Sequence, residues 1–498
     1  MAEPSTTQTP TKKAARHSAL ATSVWAICAL ACDDGSLVAT RPMAVGHDAG
    51  QTDVTHAINQ TDVTHAIKPR SRAVTAQEAY FKASVPGALD HFGYPVALSG
   101  NTLVVGARDA DRAGSDGGAV YVFVHDGARW GQQATLPTSI WGAGDDFGAA
   151  IAITGATLAV GVPGDSQGCW FDCGSVRLFT RNGTQWKEQA VIRPFESKHG
   201  AVFGTAVAVT AGTLAVGAPA ESNNGAAYVF SLVDGHWYQS VRLVTAAPGW
   251  AHEFGQAVAL SGDTLVVGSP GEDTAVPPSG RAPSNGWKGG GAVYVFVRKA
   301  ATWIPQAHLK ASNAGFSDDF GRSVSIAGDT LVVGAYHEDG GGAGVGADET
   351  DNSQPQAGAV YVFVRKAGVW SQQAYLKADT PHEFDEFGAS VAIDGDSLVV
   401  GAPREGSGGS GINGTVPAQG KHGSGAAYQF HRTGTTWSQE AHLKAAYPDP
   451  LDMFGRSVAR SGAFVAVGAW GESSAAAGVG GDQEDNSMSQ SGAAYVFR

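Results

Sequence analysis

Residues 76–84 read AQEAYFKAS. The pattern returns as SQQAYLKAD at 371–379 and SQEAHLKAA at 438–446, each time near the end of a longer repeating unit. A segment that belongs at the end of a unit thus stands at the front of the array, and counting outward from it shows what it is for.

Seven Phe-Gly pairs begin at Phe92, Phe147, Phe203, Phe254, Phe320, Phe387 and Phe454. Each Phe lies 14 residues before the last Gly of an LVVG-like run. The Phe closing an AVYVF-like run lies seven before the next Trp, and that Trp 17 before the next Phe-Gly. All length variation falls between VVG and YVF, where the separation is 17, 18, 13, 28, 29, 29 and 29 residues. A unit is therefore three fixed segments and one elastic loop, the signature of a repeat architecture.

The fixed segments have strand character. SVAIDGDSLVVGAP (Ser390–Pro403) is two alternating apolar runs broken by Gly-Asp, the composition of a two-residue hairpin. GAVYVFV supplies a third strand and WSQQAYLKA a fourth. The expected fold is all-β: a seven-bladed β-propeller of four-stranded antiparallel blades. The seventh unit stops at Arg498, after its third strand. Counting back 17 from Phe92 reaches Thr75, where other units carry Trp, and AQEAYFKAS follows in register. Residues 75–84 are accordingly read as the fourth strand of the last blade, closing the ring and removing two open edges.

Composition agrees with short strands and tight turns: 68 glycines in 498 residues and only 16% charged residues. The net charge is −13 with Lys and Arg scattered, which argues against nucleic acid as a partner. Lys12, Lys13 and Arg16 precede the apolar run ALATSVWAICALA (19–31), which has the length of a signal-peptide core and is short for a membrane span. It ends in ALAC, similar to a bacterial lipobox with Cys32 as the lipidated residue. Residues 1–32 are therefore read as a lipoprotein-like signal, with plain secretion as the alternative. Residues 33–73, which duplicate QTDVTHAI, are read as a low-complexity linker, and 74–498 as the propeller. A lipid anchor would be the only membrane contact. In an exported chain Cys169 and Cys173 of GCWFDCG are read as a loop disulfide, with free thiols as the alternative.

FGTAVAVTAGTLAVGAP and FGASVAIDGDSLVVGAP resemble FG-GAP repeats, the family that includes the integrin α propeller and many exported bacterial proteins. The resemblance spans about 74–498. It implies a propeller used for binding or adhesion, and it brings in Ca²⁺ as a candidate cofactor, because integrin-type blades hold calcium in a D-x-D-x-D-G-x-x-D loop. No loop here matches in full. The nearest residues are Asp109, Asp111 and Asp116, then Asp348, Asp351 and Asn352, and Asp482, Asp485 and Asn486. The alternative is that these side chains bond their own turn backbones.

An acidic residue follows the in-phase Gly by four in six units: Asp165, Glu221, Glu272, Glu338, Glu405 and Glu472. Its recurrence with the fold's symmetry favours a structural role, as does the Asp two before Phe-Gly at 90, 145, 318, 385 and 452. The in-phase Trp residues are read as packing between blades. Trp287, His337, His422 and Trp470 lie in or beside the variable loops and are the candidate ligand contacts. The leading expectation is a monomeric, non-enzymatic binding or adhesion propeller at the cell surface or in the periplasm. It would meet a protein or glycan through the loops at 269–290, 335–357, 402–424 and 469–491. A polysaccharide lyase or hydrolase and an architectural envelope module are the alternatives.

Overall fold

The hairpin read in Ser390–Pro403 folds as antiparallel strands Ser390–Asp394 and Ser397–Ala402 joined by Gly395-Asp396. Gly395 sits at φ 62° and Asp396 at negative φ, the pattern of a II′ turn, whose twist suits the flanking strands. Third and fourth strands, Ala426–Thr433 and Thr436–Leu443, complete the sheet in sequential order. The computed structural model describes residues 73–111, 116–136, 142–245, 251–273, 289–414 and 420–498. Residues 1–72, most of the span read as signal and linker and including Cys32, and Trp287 lie outside the described residues.

Seven such four-stranded sheets form. Blades 1 to 6 span 96–135, 150–192, 206–243, 257–309, 323–376 and 390–443. Blade 7 is built from Phe454–Ser461, Phe464–Ala469 and Ala493–Phe497, with Gln77–Phe81 as its fourth strand. Tyr80 pairs with Tyr495 and Phe81 with Ala494, and Thr75 N–H donates to the Arg498 carbonyl at 2.9 Å. The first strands of successive blades touch all the way round, including that of blade 7 against that of blade 1. The ring is closed as the sequence pattern requires.

The core explains the period. Seven apolar clusters each lie between two neighbouring blades, so no blade has a core of its own. The Phe-Gly pair is the joint. Phe147 of blade 2 forms a bridge with Gly118 of blade 1, and Phe92 of blade 1 with Gly492 of blade 7. The second-strand glycines are demanded by the same joint: a Cβ on Gly468 would overlap the carbonyl oxygen of Gly93 in the next blade. The in-phase Trp residues reach across blades too. The indoles of Trp186, Trp370 and Trp437 donate to Gln133, Gln306 and Gln373 of the preceding blade at 2.9–3.0 Å. Among the described residues no helix is long and apolar enough to cross a membrane.

Candidate functional site

The repeated carboxylates are withdrawn from solvent and matched by a cation from the same blade's fourth strand. Lys82 lies 2.6 Å from Glu472, Lys310 3.3 Å from Glu272, Lys377 2.8 Å from Glu338 and Lys444 2.5 Å from Glu405. Blades 2 and 3 use arginine: Arg193 with Asp165 at 2.5 Å and Arg242 with Glu221 at 2.6 Å. Tyrosine hydroxyls complete the shell, Tyr80 donating to Glu472, Tyr228 to Glu221 and Tyr375 to Glu338. Burial pulls Lys82, Lys310, Lys377 and Lys444 below the ordinary ammonium value, against the pull of their carboxylates. Blade 1 has Ala110 at the acidic position, and Thr135 and Pro137 where the cations would stand, so acid and base are absent together. This ring is internal structure.

The Asp residues before Phe-Gly accept a hydrogen bond from a backbone N–H three residues earlier: Asp90 from Gly87, Asp385 from His382 and Asp452 from Asp449, at 2.7–2.8 Å. Burial pushes Asp318 up to about 8 and Asp385 and Asp452 up to about 7.

The acidic loops do not gather into a cage. Asp111 accepts from Asp116 N–H at 3.1 Å, while Asp109 faces His91 and Arg108. Asp348 and Asp351 accept from Thr350 and Ser353 N–H, and Asp482 and Asp485 from Glu484 and Ser487 N–H, at 2.9–3.0 Å. Asn486 donates to Asp449, and Asn352 is exposed in its loop. Among the described residues the one group of three His, Cys, Asp or Glu ligand atoms within 4.8 Å is Cys169, Cys173 and His199. There the two sulfurs are joined in a disulfide. A calcium ion wants six to eight oxygens, which these loops as arranged do not supply, so no calcium-dependent step is derived.

The long loops of blades 5, 6 and 7 dock in one common way. Val345, Ile412 and Val479 each bridge back to the fourth strand of their own blade, at Leu376, Leu443 and Phe81. Each arm lies over the buried lysine, whose backbone N–H it accepts: Lys377 to Gly344, Lys444 to Gly411 and Lys82 to Gly478. Loop length therefore has a structural use. The His337 ring lies tilted against that of Tyr336, centres 3.8 Å apart, and 3.2 Å from Asp319. His422 is held in the backbone of its loop, its carbonyl accepting from Leu451.

Trp470 belongs to something larger. At the residue after Phe-Gly the blades carry Tyr94, Ala149, Thr205, Gln256, Arg322, Ala389 and Arg456. At the second residue after the in-phase Gly they carry Arg108, Pro163, Pro219, Pro270, Tyr336, Pro403 and Trp470. Blades 1, 5 and 7 thus replace an uncharged residue plus Pro by an Arg plus an aromatic. All seven residues of the first set line one axial cavity of about 1050 Å³, together with Arg108 and Trp470. Pro163 and Trp470 follow second strands while Tyr94 and Arg322 precede first strands, so the cavity opens on the face that carries the long loops.

At this mouth the guanidinium of Arg456 lies 5.1 Å from the centre of the Tyr94 ring, and that of Arg108 lies 5.8 Å from it. Burial would raise the Tyr94 phenol, but Arg456, Arg108 and Arg322 outweigh it and hold the phenol below its ordinary value. Arg108 also meets Asp109 at 3.3 Å, and Arg322 meets Glu253 at 3.5 Å. Trp470 packs on His91 at 4.4 Å. Asp146 and Asp172 line the mouth from blade 2, beside the Arg108 of blade 1; burial, opposed by Arg108, brings Asp146 up to about 6. Sequence reasoning singled out Trp470 here and missed the arginines, because it looked for positions that repeat. The usable signal was the reverse: positions where the repeat is broken.

A family model described as FG-GAP repeat matches residues 75–123, 186–230, 237–296, 303–363, 370–430 and 437–497. The first match starts at Thr75, in register with the Trp that opens the other five. The unit left unmatched, 130–179, contains the disulfide loop. A comparison with curated proteins returns no match.

Proposed function

Because the chain belongs to the FG-GAP repeat family, we propose that it is a non-enzymatic binding propeller that takes its ligand at the mouth of the axial channel, on the face of the long loops. The observation that carries this is the broken symmetry of blades 1, 5 and 7. Positions serving the fold repeat, whereas positions freed from the fold vary, and these vary toward Arg, Tyr and Trp, residues suited to recognition. The repeated acids, by contrast, are occupied by their lysines and arginines. The short loops of blades 2 and 3 supply Gly164, Asp172, Ala220 and Asn223 to the mouth, while the long loops of blades 5 to 7 hold the buried pairs. The Cys169–Cys173 bond, together with the signal-like segment, supports an oxidising compartment outside the cytoplasm.

The test restores the symmetry. A glycan and matrix-protein array identifies ligands of the full chain. The variant Arg322→Ala/Arg456→Ala/Trp470→Pro, which uses residues that other blades carry at the same positions, is then applied to the same array. Loss of binding with folding retained supports the reading; undiminished binding by this variant overturns it.

A further inference from the structure

Resting on that reading, we infer that the channel mouth recognises a small carboxylated sugar, a hexuronate free or at the end of a chain, with Arg456 and Arg108 gripping the carboxylate. Arg456 is the group that calls for a ligand. Among the described residues no carboxylate lies within 4 Å of it, and its neighbour is the face of Tyr94 at 5.1 Å. Arg108 reaches the same ring from the other residue of blade 1 at 5.8 Å, with Asp109 satisfying part of its charge. Asp109 and Asp146 balance Arg108, so among the described residues the mouth guanidinium with no carboxylate of its own is that of Arg456, in a chain whose net charge is −13. The depressed phenol of Tyr94 shows that the arginines dominate the charge at the ring itself. Guanidinium forks match a carboxylate in bidentate geometry, which makes arginine the residue for this task.

The rest of the mouth selects the body attached to the carboxylate. Tyr94 and Trp470 offer ring faces, and Thr205 and Gln256 offer neutral hydrogen-bonding groups across the opening. Asp146 and Asp172, on blade 2 beside Arg108, are suited to accept from hydroxyls and would repel a second carboxylate placed there. A cavity of about 1050 Å³ at the axis of a closed ring is on the scale of small-molecule sites, roughly 300–1,000 Å³. One carboxylate on a hydroxyl-rich ring fits this division, whereas an acidic peptide would present several.

Calorimetric titration of the full chain tests this with galacturonate, its methyl ester, neutral galactose and a tetraglutamate peptide. Galacturonate should bind, the ester and galactose at least tenfold more weakly, and affinity should fall as salt is raised. Arg456→Gln should lose at least tenfold with its melting temperature unchanged. Because the methyl ester needs no variant, the proposal stays testable if Arg456→Gln folds poorly. Equal binding of acid and ester, no binding of galacturonate, or preferential binding of tetraglutamate overturns the inference. If array ligands are lost in the symmetrised variant yet Arg456→Gln leaves them untouched, the binding face stands and only the carboxylate assignment falls. If both variants keep them, the face itself is wrong.

Discussion

Glu338 and Lys377 are both almost sealed from water, 2.8 Å apart, with Tyr375, Asn313 and the Gly340 N–H spending the remaining oxygen lone pairs. Such a pair gives weak net stability but is costly to break, because removing one partner strands a buried charge. Lys377→Met should therefore lower stability by about 3–5 kcal/mol in urea unfolding. The Asp caps behave differently. Asp385 titrates near its ordinary 3.8 when unfolded and near 7 when folded, chiefly because of burial. Between those values the folded state binds more protons, so this group's contribution is fully present below the unfolded value and is lost as pH rises through the folded one. Asp385→Asn keeps an oxygen for the His382 N–H and does not ionise. Unfolding measured at about pH 3.5 and about pH 8.5 should show little difference from the parent at the lower pH. At the higher pH the variant should gain roughly 1–4 kcal/mol, at 1.36 kcal/mol per unit. A variant equally stable or weaker at the higher pH would show that Asp385 is ionised at little cost.

At the scale of elements, loop length and the choice of cation move together. In long-loop blades 5, 6 and 7 the cation is a lysine exposed by no more than 1% and roofed by the arm. In short-loop blades 2 and 3 it is an arginine whose side chain is 27% or 37% exposed. Without an arm, the longer and more weakly hydrated guanidinium can keep one side in water while it bonds the acid. Cutting the blade 5 loop to the length of the blade 3 loop should thus destabilise the protein, and the same cut in a Lys377→Arg background should cost less. A double-mutant cycle should return a coupling of about 1 kcal/mol or more; additive effects would mean that the arm does not serve the pair. The lengthened loops were legible as a constant 28–29 residue separation, but their use was not. The Gly344, Gly411 and Gly478 docking points are spread through glycine-rich sequence without a hydrophobic period to mark them. The acid–base pairing was in principle visible, since Ala110 and Pro137 drop out of the same blade.

At the scale of the whole molecule, the fold was legible because every blade must present the same joint to its neighbour. A fixed count from Phe-Gly to Gly to Trp is the sequence image of that requirement, and one missing strand shows up as an arithmetic gap at residues 75–84. The channel mouth was not legible in the same way, since Tyr94, Arg322 and Arg456 matter through their departure from the pattern and meet only when the ring closes. Closure is therefore the condition of both stability and site. Phe81 is wholly buried against Phe123 and Trp130 of blade 1, and Lys82 supplies the cation for Glu472, so the strand joins blade 7 to blade 1. A chain lacking residues 1–72 should melt with the parent propeller. One lacking residues 1–84 loses a fourth strand, the cover over the core between blades 7 and 1, and the partner of a buried carboxylate. It should unfold well over 10 °C lower or aggregate through the edge at Ala493–Phe497, since removing a buried partner alone costs about 3–5 kcal/mol. A synthetic peptide of residues 74–85 should restore part of the loss in proportion to its concentration, because it binds the folded state alone. Equal melting of the two truncations, with no response to the peptide, would mean that the ring is held shut by its other joints, the Gly492–Phe92 bridge foremost.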